Sequence, residues 1–300
     1  MSSPRAIASG EARAGRPEGQ RRLALLGLLG VTALFGWTFV VVKQVLASYP
    51  LLPYLGLRFG LAALALALVL RRWPAARTWK VGLPVGGVLA AGYLCQTVGL
   101  VTISPGIAGL ITGLFVVFTP LLDRLGYGVP LRPRTVVSVL AALLGVGLLT
   151  HAGRGLSIGD LLVGLGAVAF AGQIVLLSHA RAQPVELGAV QMVVCAVGFL
   201  LLGTSSGVPY PPVSGSIAVA LLITGLLASA LAVVVQTWAQ RHLSASSAGL
   251  VLAAEPGFAL LFAVLLAQER LDALQGFGAL ILLAAIVSHE LAPARRRAGA

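Results

Sequence analysis

The chain has very little charge. Only 10% of its 300 residues are Asp, Glu, Lys or Arg, and only nine are acidic. A water-soluble domain carries about 25% charged residues, so this sequence cannot build a conventional water-facing surface. Its two cysteines, Cys95 and Cys195, each sit inside an apolar run. That excludes a CxxC metal or redox site and leaves both as small apolar side chains. No HExxH and no Walker-type phosphate loop occurs, so metalloprotease chemistry and ATP-driven pumping have no residues to use. Rings of like charge and repeated carbonyl-filter sequences, the marks of a channel, are also missing. One stretch, "GTSSG" from Gly203 to Gly207, fits the G-x-S-x-G pattern of a nucleophile elbow. It lacks the strand-to-helix setting and a nearby His or Asp, so it reads as a flexible connection. No cofactor, no metal and no enzymatic activity are expected.

Hydrophobicity is what the chain has in excess: 58% of residues are apolar and the mean hydropathy is +0.97. Its 37 Gly and 16 Pro would be poor for long soluble helices but are common in membrane helices. The class is an all-α integral membrane protein. A net charge of +12 raises the question of nucleic acid. The basic residues instead fall in short clusters between apolar runs: Arg71, Arg72, Arg77 and Lys80, then Arg124, Arg132 and Arg134, then Arg295 to Arg297. Positive loops flanking membrane spans explain them, and no nucleic-acid partner is expected.

A hydrocarbon core about 30 Å thick needs about 20 apolar residues per helix. Ten runs qualify, near 23–47, 51–70, 79–100, 104–122, 135–150, 159–178, 186–203, 216–240, 245–267 and 271–289, the fifth and seventh being the shortest. Residues 1–22 read as a disordered cytoplasmic tail and 292–300 as a basic cytoplasmic tail. With the N-terminus inside, seventeen of the 21 basic residues lie on the cytoplasmic side and two, Arg154 and Arg270, on the other. Lys43 and Arg58 fall within spans. The positive-inside rule therefore puts both termini in the cytoplasm of a multi-pass inner-membrane protein.

Two phrases 140 residues apart match at six of fifteen positions: "QTVGLVTISPGIAGL" from Gln96 and "QTWAQRHLSASSAGL" from Gln236. The first begins in span 3 and the second in span 8, so spans 1–5 (23–150) repeat as spans 6–10 (156–291). Two copies of an odd-span unit enter the membrane from opposite sides. The expected fold is thus ten transmembrane helices in two inverted five-helix repeats, an architecture associated with secondary transporters.

"ALFGWTFVVVK" in span 1, "LRFGLAALALAL" in span 2, "QTVGLVTISPGIAGLITGLFVVFTPLL" across spans 3–4 and "QTWAQRHLSASSAGLVLAAEPGFALLFAVLLAQERL" across spans 8–9 resemble the drug/metabolite transporter superfamily, specifically its EamA-type exporters. The likeness covers nearly all of the chain after residue 22. It implies a central cavity lined by helices 1–4 and 6–9 and efflux of metabolites or amino acids. It also marks Glu255-Pro256 as a recurring signature. In span 1 the chain departs from the family's Trp-Gly pattern and reads Phe35-Gly36-Trp37-Thr38, which makes Trp37 and Thr38 candidates with a shifted register.

An ionised group at the bilayer centre costs about 2.5–3.5 kcal/mol on insertion scales, so each one needs a reason. Glu255 falls roughly 14 Å from the inner end of span 9, near the midplane. Pro256 behind it lacks an N–H and opens the helix, and Pro120 is a second expected break, in span 4. A carboxylate beside opened backbone suits a coupling proton or a substrate ammonium; a structurally paired Glu is the alternative. Arg58, roughly 18 Å above the inner boundary, is placed within about one turn of the same depth, so an Arg58–Glu255 pair across spans 2 and 9 is expected. Lys43 falls about 30 Å from Arg22, where it can snorkel at the outer interface. Gln96, Tyr93, Gln173 (the repeat counterpart of Trp37) and Gln236 either line a cavity or bond between helices. Trp238 is either a cavity wall or an interfacial belt residue. Gly56 and Gly60, Gly82 and Gly86, and Gly109 and Gly113 are small pairs four apart that permit close helix contact.

The expected function is secondary transport of a small-molecule substrate across a lipid bilayer, outward, with protons as the coupling ion, by a monomer or homodimer. An importer or facilitator of the same fold and a non-transporting scaffold or sensor are the alternatives.

Overall fold

A computed structural model describes residues 18–131, 133–151, 155–180, 183–243 and 251–291. Most of the two expected tails lies outside the described residues, as does 244–250, which ends the second copy of the repeated phrase. All regular structure among the described residues is helical. The helices are α1 (Glu18–Leu46), α2 (Leu51–Leu70), α3 (Ala76–Thr102), α4 (Pro105–Thr112), α5 (Phe115–Tyr127), α6 (Pro133–His151), α7 (Ile158–His179) and α8 (Pro184–Ser205). Then come α9 (Gly215–Leu221), a π-helical segment (Leu222–Leu231), α10 (Ala232–His242), α11 (Glu255–Leu266) and α12 (Ala273–Leu291). Among the described residues, seven stretches are long and apolar enough to cross a membrane, with α4–α5 and α9–α10 each counted as one. Three shorter apolar helices, Thr135–Leu149, Glu255–Leu266 and Ala273–Ser288, stand where the fifth, ninth and tenth spans were expected.

Local chemistry sets the ends. Pro105 and Pro184 open α4 and α8, where a missing N–H costs nothing. Ser157 and Asp160 form a reciprocal capping box at the start of α7. An exposed Glu18–Arg22 pair at 2.7 Å, one turn apart, carries α1 about a turn earlier than its apolar run. Outward-facing Leu64, Leu68, Leu140, Leu144, Leu161 and Leu165 give the bundle an apolar exterior suited to lipid.

α3 packs along α7, α2 along α8, α6 along α12, and α1 along α11. Glycines make these approaches possible. Gly99 lies against Gly159, and Gly92 against Phe170, so α3 and α7 run antiparallel. A Cβ on Gly36 would fall 2.6 Å from the Ala259 nitrogen, and one on Gly86 2.7 Å from Val194. Gly56, Gly82, Gly109 and Gly113 are similarly filled by a neighbour, whereas Gly60 faces open space.

The repeat also reaches backbone detail. Gly113–Leu114 interrupts the α4–α5 span, and Ala253–Ala254 precedes α11 at the same offset of 140. Leu114 N–H bonds to Ile111 O at 3.0 Å, and Ala254 N–H to Val251 O at 3.1 Å, both i to i−3. Phe118 then resumes the α pattern to Leu114 O, as Phe258 does to Ala254 O. Each copy therefore tightens one turn at the same place. The break expected at Pro120 is not there: α5 runs through it. Pro120 forfeits one bond, to the carbonyl four residues back, and a packed membrane helix absorbs that loss. The turn comes earlier, where Gly113 must clear Pro256. Pro256 does mark a break, but as the second residue of α11 rather than as a kink inside it.

Valine at Gly36 should lower the unfolding free energy of the detergent-solubilised protein by about 1–3 kcal/mol through overpacking against Ala259. Alanine at Gly60 should be neutral or stabilising by about 0.5 kcal/mol. Thermal melts followed by circular dichroism at 222 nm check both.

Candidate functional site

The two interrupted spans cross at their breaks. Gly113 seats the Pro256 ring, and Gly109, one turn away, seats Ala259. This contact puts Glu255 at the head of α11 in the middle of the bundle. Glu255 and Tyr93 are both half-buried. The Glu255 side chain has no hydrogen bond or ion pair with any described residue.

Arg58 lies beside this centre and is 3% exposed. Its guanidinium carbon sits 5.1 Å from the Phe59 ring centroid and 5.0 Å from that of Tyr93. Phe199 and Phe170 extend the aromatic cluster. Among the described residues Arg58 has one hydrogen-bond partner, Ser229 Oγ, to which Nε donates at 3.4 Å. The register follows from two helix geometries. Tyr54 and Arg58 are one α-turn apart on α2, and Thr224 and Ser229 are one π-turn apart on the facing segment. Tyr54 Oη and Thr224 Oγ1 are 2.8 Å apart, and Ser229 Oγ donates to Thr224 O at 2.7 Å. The expected Arg58–Glu255 pair is not formed, because this register turns Arg58 toward the π segment. Both charges nevertheless lie within electrostatic range of the Tyr93 hydroxyl.

The other candidates divide. Gln96 donates to Thr112 Oγ1 at 3.1 Å, tying α3 to the last residue before the α4–α5 break. Trp37 is half-buried, 6.5 Å from Phe262, and Thr38 Oγ1 donates to Phe35 O at 2.6 Å. Gln173 donates to Gln191 Oε1 at 2.7 Å, an interhelical bond between α7 and α8. Gln236 is half-buried, and its side chain has no hydrogen bond to a described residue. Trp238 packs with Ala24 and Leu28 of α1, away from the centre, with its ring 4.8 Å from His242. Lys43 is half-buried. Its Nζ donates to the carbonyls of Leu100, Val101 and Ile103 at 2.8, 2.8 and 3.1 Å, capping the C-terminus of α3 with a positive charge. The serines of "GTSSG" bond to carbonyls of their own helix end.

Both ends of the bundle carry clasps that reading by spans overlooked. At the Lys43 end, Glu269 accepts from Gly106 N–H at 2.9 Å and from the Ser104 hydroxyl, capping α4 from the second repeat. Gln268 adopts the left-handed conformation (φ 52°), and Glu269 N–H bonds back to Ala263 O at 3.1 Å, which turns the carboxylate inward. A Cβ on Gly106 would lie 2.8 Å from that carboxylate and 3.0 Å from the Ala263 methyl, so a larger residue would push the carboxylate aside. At the opposite end Asp123 Oδ1 is 2.8 Å from His179 Nε2, and His179 stacks on Tyr127 at 3.6 Å. Glu269 sits next to a loop arginine and passes for loop charge in the sequence. Only the Ser-Pro-Gly at 104–106, a helix start lacking its own carboxylate, hints at a cap supplied from elsewhere.

Glu269→Ala leaves the Gly106 N–H and the Ser104 hydroxyl without this acceptor and should cost about 1 kcal/mol after solvent screening. Faster amide exchange confined to 104–108, read by hydrogen–deuterium exchange, is the expected signature.

The model of the EamA-like transporter family matches the chain twice, over residues 22–151 and 157–288. An "uncharacterized transporter" from Archaeoglobus fulgidus is 33% identical over 279 residues, covering 91% of this chain and 88% of that one. A protein of known crystal structure, 20% identical, superposes with a TM-score of 0.63 over 88% of this chain and 95% of its own. It shares the fold.

Proposed function

The chain belongs to the EamA-like transporter family, and we propose that it is a secondary transporter of the inner membrane that exports small metabolites or amino acids by alternating access. The observation that carries this reading is the crossing of the two interrupted spans, with Glu255 and Arg58, two charges without ion-pair partners among the described residues, at its centre. Charge without a partner is costly in a low-dielectric interior and is retained where a ligand or a transferred proton supplies the counter-charge.

Five helices per repeat make the two copies inverted, with both termini in the cytoplasm. The antiparallel run of α3 and α7 and the matched backbone breaks support that arrangement. Inverted repeats can exchange conformations, so a central site opens to either side in turn. Glu255 binds a substrate ammonium or the coupling proton, and each occupant neutralises it for passage. Arg58 offers a planar fork of donors between two aromatic walls, suited to a carboxylate. The clasps at Glu269 and at Asp123–His179 are the natural gates, since each joins the first repeat to the second at one end.

The deciding experiment is uptake and efflux in proteoliposomes under an imposed pH gradient, with a panel of labelled amino acids. Wild type should respond to the gradient, and Glu255→Gln should abolish the response while the protein stays folded. Flux that ignores the gradient in wild type would mean facilitation, and full gradient response in Glu255→Gln would remove Glu255 from coupling. Arg58→Lys keeps the charge but loses the fork. It should raise the KM for carboxylate substrates about tenfold, the worth of one charge-assisted hydrogen bond.

A further inference from the structure

At the end of the bundle opposite Lys43, the turn joining α2 to α3 overhangs the start of α8. Arg71 ends α2 in the left-handed conformation (φ 54°), and an extended segment to Ala75 follows. Small residues face each other beneath this turn, Ala63 and Ala67 on α2 and Ala189 on α8, and leave a furrow. The furrow holds a groove of about 240 Å³, apolar along its floor and roofed by Arg71, Arg72 and two indoles, Trp73 and Trp79. Next to it lies a polar recess of about 350 Å³ bounded by Arg72, Trp73, Arg77, Thr78 and Glu186. Arg72 and Trp73 line both, so an apolar slot and a basic recess meet at one shared wall.

We propose that this paired cavity binds one anionic phospholipid, with an acyl chain in the groove and its phosphate in the recess. Charge decides the headgroup. Arg71, Arg72, Arg77 and nearby Lys80 are all exposed, and Glu186 is the one acidic side chain among the residues lining the two cavities. Glu186 accepts from Arg72 at 2.9 Å and is largely buried, so it holds Arg72 at the junction. Arg72's side chain stays 74% exposed and can take a second anion. A zwitterionic headgroup would leave this positive excess unmatched. The furrow decides that the ligand is a lipid, because a free phosphate has no use for an apolar slot flanked by outward-facing Leu68 and Val69. Trp73, 77% exposed, has the amphipathic ring that favours the headgroup level of a bilayer. Basic pockets between membrane helices on the cytoplasmic side bind anionic headgroups by this chemistry. The bound lipid would bridge α2 of the first repeat to α8 of the second. This inference does not depend on the transport reading.

The test is native mass spectrometry of the full chain in detergent with added phosphatidylglycerol, phosphatidylcholine or, as a tail-less control, glycerol phosphate. One phosphatidylglycerol should be retained in preference to phosphatidylcholine, and glycerol phosphate should not be retained. Arg71→Gln and Arg77→Gln should each weaken retention about fivefold. Ala67→Trp fills the slot without touching the charges and should abolish retention. Trp73→Ala, at a site too exposed to affect folding, should weaken it. Equal retention of the two lipids, retention of glycerol phosphate, or an Ala67→Trp protein that elutes normally and still holds phosphatidylglycerol would each overturn the proposal.

Discussion

A chain in hydrocarbon has no water to satisfy its backbone, so every N–H and C=O must find a partner within the protein. That constraint explains why all described regular structure here is helical and why each departure from an α-helix is tightly supported. The break at Gly113–Leu114 keeps its groups bonded through i to i−3 turns and is wedged by Pro256. The π segment keeps its own bonds, and Ser229 follows its wider spacing in donating to Thr224 O. The N-terminus of α4 has no carboxylate of its own and receives Glu269 from the other repeat. Lys43 treats the C-terminus of α3 in the same way, with opposite charge.

The matched breaks matter because their sequences differ. One reads Gly113-Leu114-Phe115-Val116 and the other Ala253-Ala254-Glu255-Pro256. Proline accounts for only one of them. What they share is a position in the packing, where two spans cross with Gly109 against Ala259 and Gly113 against the Pro256 ring. Glu255 stands where the first copy has Phe115, so the duplication has diverged at its centre into one charged and one apolar contribution.

Arg58 shows how far span-by-span reasoning carries. Depth along a helix follows from a rise of about 1.5 Å per residue, and it set Arg58 and Glu255 near one level. The direction in which Arg58 points depends on Tyr54, one turn away, finding Thr224 in a segment whose turns hold an extra residue. No periodicity in "LLITGLLASAL" announces that extra residue. Depth alone places Lys43 at the outer interface and leaves Trp238 as a cavity wall or a belt residue; the structure adds a particular neighbour for each, three carbonyls of α3 for the first and α1 for the second.

The sequence by itself determined the class, the places of the apolar helices, the twofold repeat and Glu255-Pro256 as a singular point. These follow from transfer free energy and rise per residue, which are additive along the chain. Only the tertiary structure decided which charges meet, where the spans break and how the bundle ends are clasped. Those outcomes depend on contacts between residues far apart in the chain, such as Asp123 with His179, Ser104 with Glu269 or Tyr54 with Thr224. Pairings of that range are set by the packing of whole helices against one another, a constraint that no local stretch carries.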